Sequence, residues 1–133
     1  MLRLIVTANL SEEEKEVIKQ AFSQEEFDVV IFDEIDKKLL KAYPDKNAYL
    51  VESVSYKLHL LSLSDIIVID SNDLFSFAAA LTAAVIKPHD IKIYALERGQ
   101  RDKTAELILG LEKALENICI IKSLDELITK VSP

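Results

Sequence analysis

Five short apolar runs divide the chain, and segments with helical periodicity separate them. The run at 65–70 is the clearest, because four consecutive β-branched residues, 66–69, lie between the carboxylates Asp65 and Asp70. An unbroken apolar run of this length predicts a strand that is buried on both faces of a sheet. Similar runs predict the other strands at 2–8, 27–32, 91–96 and 118–121.

The first intervening segment predicts an amphipathic helix. Ser11 and Glu14 have the spacing of a capping box, which marks a helix N-terminus. One face is apolar, and glutamates and lysines cover the other, which we expect to be solvated. The apolar face consists of Val17, Ile18, Ala21 and Phe22.

Two further helices are predicted before the central strand. Asp33, Glu34 and Asp36 follow the second strand and predict a solvated turn that opens a helix at about 37–42. Apolar residues then recur at intervals of three and four along 46–62, which predicts a helix with a core-facing side. They are Val51, Val54, Leu58 and Leu61.

The segment 74–86 is apolar around almost its whole circumference. One face of a sheet would leave much of such a helix exposed, so we expect it to be packed on two sides. Its alanines would allow another helix to approach closely. We therefore expect a homodimer contact along 74–86.

Strand and helix alternate along the entire chain, which predicts an α/β fold. We expect one Rossmann-like domain over residues 1–133: a doubly wound, mainly parallel five-stranded sheet with helices on both faces. Right-handed crossovers and a switch point beside the first strand are the expected topology.

Composition narrows the function. The net charge of −7 argues against DNA or RNA binding through a basic surface. No apolar run is long enough for a membrane span, and the chain starts in a strand rather than a signal peptide, so we expect a cytoplasmic protein. The single cysteine, Cys119, lies between isoleucines and is expected to be a core thiol, which excludes disulfide frameworks and zinc fingers.

Polar residues follow four of the five predicted strands. Because parallel strands end at the same edge of a sheet, we expect these side chains to lie near one another. Free N–H groups at helix N-termini bind anions, and arginines add charge-assisted hydrogen bonds to phosphate. The candidates are Thr7, Asn9, Ser11, Ser71, Asn72, Asp73, Ser76, Arg98, Arg101, Lys122 and Ser123.

A purely structural role is the alternative for several of these residues. Ser11, Asp73 and Ser123 are good helix caps. Arg98 and Arg101 could instead pair with the neighbouring carboxylates of Glu97 and Asp102.

Several common sites are absent from the sequence. Its only glycines are Gly99 and Gly110, so it has neither a GxGxxG fingerprint nor a P-loop. Neither histidine follows a strand, which leaves no support for a Ser-His-Asp or Cys-His arrangement. We expect no metal and no cofactor.

The order of features resembles the small ring nucleases of type III CRISPR systems, which are related in fold to CARF domains. The similar segments are 10–14, Tyr43-Pro44, 64–68 leading into a polar turn, and 93–95 leading to Glu97-Arg98. The chain lacks the glycine after the third strand and the histidine after the first strand that are associated with that family. The resemblance covers about two thirds of the chain.

This resemblance implies a homodimer that binds cyclic oligoadenylate, with cyclic tetra-adenylate as the expected ligand, and cleaves it slowly without a metal. By this analogy the protein is a phosphodiesterase that ends CRISPR signalling. Arg98 and Arg101 would stabilise charge on the reacting phosphate, and Asn9, Ser71 and Asn72 would orient ribose and base.

Two other families offer alternatives. In a resemblance to response-regulator receiver domains, Asp70 has the place of the phosphoacceptor and Lys122 that of the family's lysine. The acid pair expected after the first strand is Ala8-Asn9 here, which argues against phosphotransfer. A nucleoside-processing enzyme similar to deoxyribosyltransferases would use Asp70 or Asp73 as its nucleophile.

Overall fold

The central strand predicted at 65–70 forms the middle of a five-stranded sheet. A computed structural model describes residues 1–73, 78 and 91–131 of the chain. The strands are β1 (Leu2–Val6), β2 (Phe27–Ile31), β3 (Ile66–Asp70), β4 (Lys92–Leu96) and β5 (Ile118–Ile121). Every residue of β3 is buried, as the unbroken apolar run predicts.

All pairings in the sheet are parallel, and the strand order is β2-β1-β3-β4-β5. The chain moves to one side after β1 and to the other side from β3 onward. The strand order therefore reverses between β1 and β3, which confirms the α/β fold and the predicted switch point. In register, Ile67 lies opposite Ile5 of β1 and Ile93 of β4.

Helices cover both faces of the sheet. In the described residues they are α1 (Glu12–Ala21), α2 (Phe32–Ala42), α3 (Lys46–Ser62), α4 (Lys103–Ala114) and α5 (Leu124–Val131). Alternate strand residues point to opposite faces, which produces two apolar clusters. One cluster joins the sheet to α1 and α5. The other joins it to α2, α3 and α4.

The junction of β2 and α2 differs from the prediction. We expected a strand to residue 32 and a solvated turn, but β2 ends at Ile31 and Phe32 already begins α2. Asp33 and Glu34 lie in the first turn of that helix, where carboxylates interact favourably with the helix dipole. Phe32 misled the prediction because it extends the apolar run of the strand.

Lys15 was expected on the solvated face of α1, and the structure buries it. Only 2% of its side chain is exposed, and its ammonium group contacts the carboxylates of Asp33 and Glu12. Hydrogen bonds from these two groups outweigh burial and raise the pKa of Lys15 above its ordinary value. The ammonium in turn lowers the pKa of Asp33, mainly by its hydrogen bond. The pair fastens α1 to the start of α2.

The predicted inner face of α3 is also wrong. Leu61 is buried, but Val51, Val54 and Leu58 are exposed. The inner side instead carries Ser53 and Lys57, together with Leu60 and Leu61. Both polar residues bind Asp36 of α2, Ser53 at 3.1 Å and Lys57 at 2.8 Å. These polar contacts fix a rotation of the helix that the apolar periodicity did not predict.

Some predictions concern residues outside the described part of the chain. The helix expected at 74–86, its homodimer contact, and the candidate Ser76 fall there. Cys119 is a partly buried free thiol that packs against the apolar cluster shared with α1 and α5. In the described residues, no helix has the length and apolar character needed to cross a bilayer.

The Lys15–Asp33 pair gives a test of the packing between α1 and α2. Asp33→Asn should lower the free energy of unfolding at pH 7 by about 1–2 kcal/mol, because Lys15 loses its main counter-charge inside the protein. The value lies below that of a fully buried pair because the Asp33 side chain is 43% exposed. Urea denaturation of both proteins measures it.

The pH dependence and a matched substitution complete this test. The pKa of Asp33 is lower in the folded than in the unfolded protein, so its contribution is present above about pH 4 and is lost as pH falls through the folded-state pKa. The difference between the two proteins should therefore shrink in acid. Glu34→Gln, which removes the exposed Lys19–Glu34 pair on the same helices, should cost no more than about 0.5 kcal/mol. Equal costs for the two substitutions would contradict the assigned role of Lys15.

Candidate functional site at the carboxyl edge

Asp70 links the ends of β1 and β3 at the switch point. It is the last residue of β3, only 8% exposed, and its Oδ2 accepts a hydrogen bond of 2.7 Å from the backbone N–H of Asn9. Its Oδ1 accepts from the guanidinium of Arg98 at 3.3 Å. Both carboxylate oxygens thus have partners, which satisfies the charge of a nearly buried group.

Arg98 connects four parts of the carboxyl edge. Its Nη1 donates to both carboxylate oxygens of Glu14, at 3.0 and 2.9 Å, and its Nη2 donates to the backbone carbonyl of Asn9 as well as to Asp70. Gly99 follows with a φ of 81°, the left-handed conformation that favours glycine, and turns the chain directly after the arginine. The side chain remains 41% exposed. A cation therefore lies over the switch point, within reach of solvent.

Glu14 has two roles. Its carboxylate accepts from the N–H of Ser11, and its own N–H donates to the Ser11 hydroxyl, which confirms the predicted capping box. Burial alone would raise the pKa of Glu14, but the hydrogen bonds from Ser11 and Arg98 outweigh it and hold that pKa below its usual value. Glu14 is therefore ionised at neutral pH and competes with any anionic ligand for Arg98. The Ser11 hydroxyl is already engaged as a helix cap.

Arg101 forms a separate cluster with Glu97 and Lys122. Its Nη2 lies 2.9 and 3.1 Å from the two carboxylate oxygens of Glu97, and Lys122 Nζ lies 2.6 Å from one of them. Hydrogen bonds from Arg101 and then Lys122 lower the pKa of Glu97 despite its burial. The pairing of Arg101 with Glu97 is the structural alternative given above for this arginine.

The remaining predicted residues divide by exposure. Asn9 and Asn72 are exposed, and Thr7 and Asp73 are partly buried. Ser71 is only 1% exposed, and its N–H donates to the carbonyl of Leu96 in β4. A ligand at the surface can therefore reach the two asparagines more readily than Ser71.

A cleft between α1 and α5 opens beside Arg98. Its volume is about 320 Å³, and its lining is Glu14, Val17, Leu96, Arg98, Lys122, Ser123, Leu124 and Asp125. Three of these residues form an apolar wall, while Arg98 and Lys122 supply positive charge. Apolar walls with a few polar groups are typical of small-molecule sites. Clefts of about 260 to 370 Å³ also lie elsewhere, lined partly by residues at the amino ends of β1, β2 and β4, away from the switch point.

Sequence reasoning missed the contribution of α1 to this cleft. Val17 was expected in the core, yet it is 42% exposed at the cleft. It lies at the margin of a wide apolar face, and that width was the available signal. Ser123 was predicted correctly as a cap, because its hydroxyl accepts from the Glu126 N–H at 3.2 Å.

The geometry also bears on the receiver-like alternative. Lys122 pairs with Glu97 rather than with Asp70, whose two oxygens are held by Asn9 and Arg98. In the described ranges 1–73, 78 and 91–131, no three histidine, cysteine, aspartate or glutamate side chains gather as a metal site would require. Neither the lysine contact nor a free carboxylate oxygen of a phosphoacceptor is present at Asp70.

Incubation with acetyl phosphate and Mg²⁺ should therefore leave Asp70 unmodified. The expected result is an unchanged intact mass, because the nucleophilic oxygens of Asp70 are both hydrogen-bonded and the residue is nearly buried. A phosphorylated species that disappears in Asp70→Asn would contradict this expectation and favour the receiver-like alternative.

Comparison with models of known protein families, with curated proteins and with solved structures found no significant match. The chemistry on the page is that of the carboxyl edge itself: a solvent-accessible arginine over the switch point, a second cation, and an apolar cleft between them.

Proposed function

We propose that the protein binds a nucleotide-class ligand at its carboxyl edge, with cyclic tetra-adenylate as the specific candidate. The observation that carries the proposal is the position of Arg98, a half-exposed guanidinium over the β1–β3 switch point and at the rim of the cleft. Open α/β sheets bind their ligands at this location. Guanidinium groups recognise phosphate through paired hydrogen bonds.

The cleft suits the two parts of a nucleotide. Its apolar wall of Val17, Leu96 and Leu124 can cover a base, while Arg98 and Lys122 lie where a phosphate would gain two cations. Asn9 and Asn72 are exposed on the other side of Arg98, where they can hydrogen-bond ribose. Ser71 takes no direct part because it is buried.

Glu14 regulates access to Arg98 in this proposal. Its carboxylate occupies Nη1 of the guanidinium in the free protein, so a phosphate has to replace it there. The replacement exchanges one charged hydrogen-bond acceptor for another, and it frees Glu14 to turn toward solvent. Binding is therefore weaker than it would be to an unpaired arginine.

The proposed reaction is slow cleavage of the bound phosphodiester. The ribose 2′-oxygen attacks phosphorus, the 5′-oxygen leaves with a proton, and a 2′,3′-cyclic phosphate forms. Arg98 stabilises the negative charge that develops on the phosphorane oxygens. In-line positioning of the 2′-OH supplies the rate, which requires no metal ion.

Arg101 and Asn9 have smaller parts than the sequence prediction gave them. Arg101 is held by Glu97 and does not line the cleft, so it acts on the phosphate only after leaving that carboxylate. Asn9 contacts Arg98 through its backbone carbonyl and so positions the guanidinium. Cyclic oligoadenylate is thus the proposed substrate, Arg98 the proposed catalytic residue, and a phosphodiesterase the proposed enzyme class.

Binding tests this proposal through a pair of opposite substitutions. Calorimetric titration with cyclic tetra-adenylate should show affinity reduced about tenfold or more by Arg98→Ala, the usual scale for a lost charged hydrogen bond. Glu14→Gln should increase affinity several-fold, because glutamine preserves the capping box and removes the competing charge. Arg3→Ala is the matched control and should bind as the unmodified protein does, since Arg3 pairs with Asp28 at the amino end of the sheet.

Failure to bind any of the common cyclic oligoadenylates or mononucleotides would overturn the nucleotide proposal. Tighter binding by Arg98→Ala, or loss of binding in Arg3→Ala, would place the ligand elsewhere on the molecule. Turnover of free nucleosides in the same screen would favour the deoxyribosyltransferase-like alternative instead.

Cleavage is followed separately by chromatography of the products. Activity should persist in EDTA and yield linear products that end in a 2′,3′-cyclic phosphate or its hydrolysis product. Binding without cleavage would leave a nucleotide-binding module, and loss of cleavage in EDTA would contradict the proposed mechanism.

A further inference from the structure

The outer side of α3 carries an apolar ridge, a surface here defined by Leu50, Val54 and Leu58. The three residues are spaced at i, i+4 and i+8, so they form one row along the helix. They are 47%, 52% and 45% exposed, and neighbouring Val51 is 64% exposed. The inner side of α3 is already occupied, because Ser53 and Lys57 are bound to Asp36. The ridge is thus additional to the core of the domain.

We propose that this ridge is the contact through which two copies of the chain form a symmetric dimer. The ridge is self-complementary about Val54, which is the midpoint of α3 (Lys46–Ser62). A twofold axis through that point exchanges positions 50 and 58, and both are leucine. Antiparallel α3 helices therefore place Leu50 of each copy against Leu58 of the other, as a contact of identical patches requires.

Charge favours a second copy as the occupant. Each chain carries a net charge of −7, so two copies repel unless they meet on a surface without carboxylates. The only carboxylate on α3, Glu52, is two positions from Val54 and so turned about 160° away from it. Asn47, Ser55 and Ser62, the polar residues beside the ridge, are uncharged. Pairing two such ridges buries no unpaired charge, which a charged peptide partner would do.

The size of the ridge sets the expected strength. Four half-exposed aliphatic side chains present on the order of 300 Å² of apolar surface, which is the scale of patches that mark interaction sites. With its polar rim in both copies, the contact falls at the small end of protein interfaces, at about 1,000 Å². The dimer is therefore a concentration-dependent one. This surface is separate from 74–86, where the sequence analysis expected the dimer contact.

Sedimentation of the full chain over a range of concentrations tests the proposal. The unmodified protein should pass from monomer to dimer, and Val54→Asp should weaken the dimer at least tenfold. Leu107→Asp is the matched control, because Leu107 is 57% exposed on α4, outside the ridge, and it should leave self-association unchanged. Circular dichroism checks that the variants remain folded.

Cross-linking tests the position of the axis. In a Cys119→Ser background, Val54→Cys should form a disulfide-linked dimer on mild oxidation, because packed helices bring residues on the axis within disulfide reach. Leu107→Cys should not. A protein that stays monomeric at all concentrations, or a dimer that Val54→Asp does not weaken, would overturn the proposal.

Discussion

Parallel pairing of β3 between β1 and β4 is the constraint on which the rest of the structure depends. Because every strand runs in the same direction, all carboxyl ends meet at one edge, and each connection must cross back over a face of the sheet. Helices on both faces then bury the strands completely, which explains why the residues of β3 are apolar up to Asp70. The first ionisable side chain beyond the core is thus placed at the switch point.

A carboxylate at that position needs compensation, and Arg98 provides it. The same guanidinium also binds Glu14, so the end of β4 is fastened to the first turn of α1 as well as to β1 and β3. The cost of this arrangement is that the arginine is not free in the unliganded protein. Its partial exposure and the adjacent cleft are what make it a recognition group as well as a structural one.

Local patterns predicted the fold because burial on both faces leaves a clear trace in sequence. The β-branched runs located all five strands, and the positions of Asp70 and Arg98 at strand ends followed from counting along them. Contacts between distant residues left no such trace. Glu14 and Arg98 are 84 positions apart, and nothing local to either residue indicates their pairing.

The errors have the same origin. Lys15 resembles any solvated lysine until α2 brings Asp33 beside it. The apolar positions of α3 suggested a core face, but Asp36 binds Ser53 and Lys57 and so fixes a different rotation of the helix. Hydrophobic periodicity identifies a helix reliably, whereas its rotation about its own axis depends on partners from other elements.

The central claim is that the carboxyl edge at the switch point is the ligand site, and the most direct measurement locates a bound ligand on the molecule. Titration of isotope-labelled protein with cyclic tetra-adenylate, followed by NMR, reports each affected residue. The account predicts shifts at the Arg98 side chain, the Asn9 amide and the methyl groups of Val17 and Leu124. Shifts confined to the opposite edge, around Arg3 and Asp65, would contradict it.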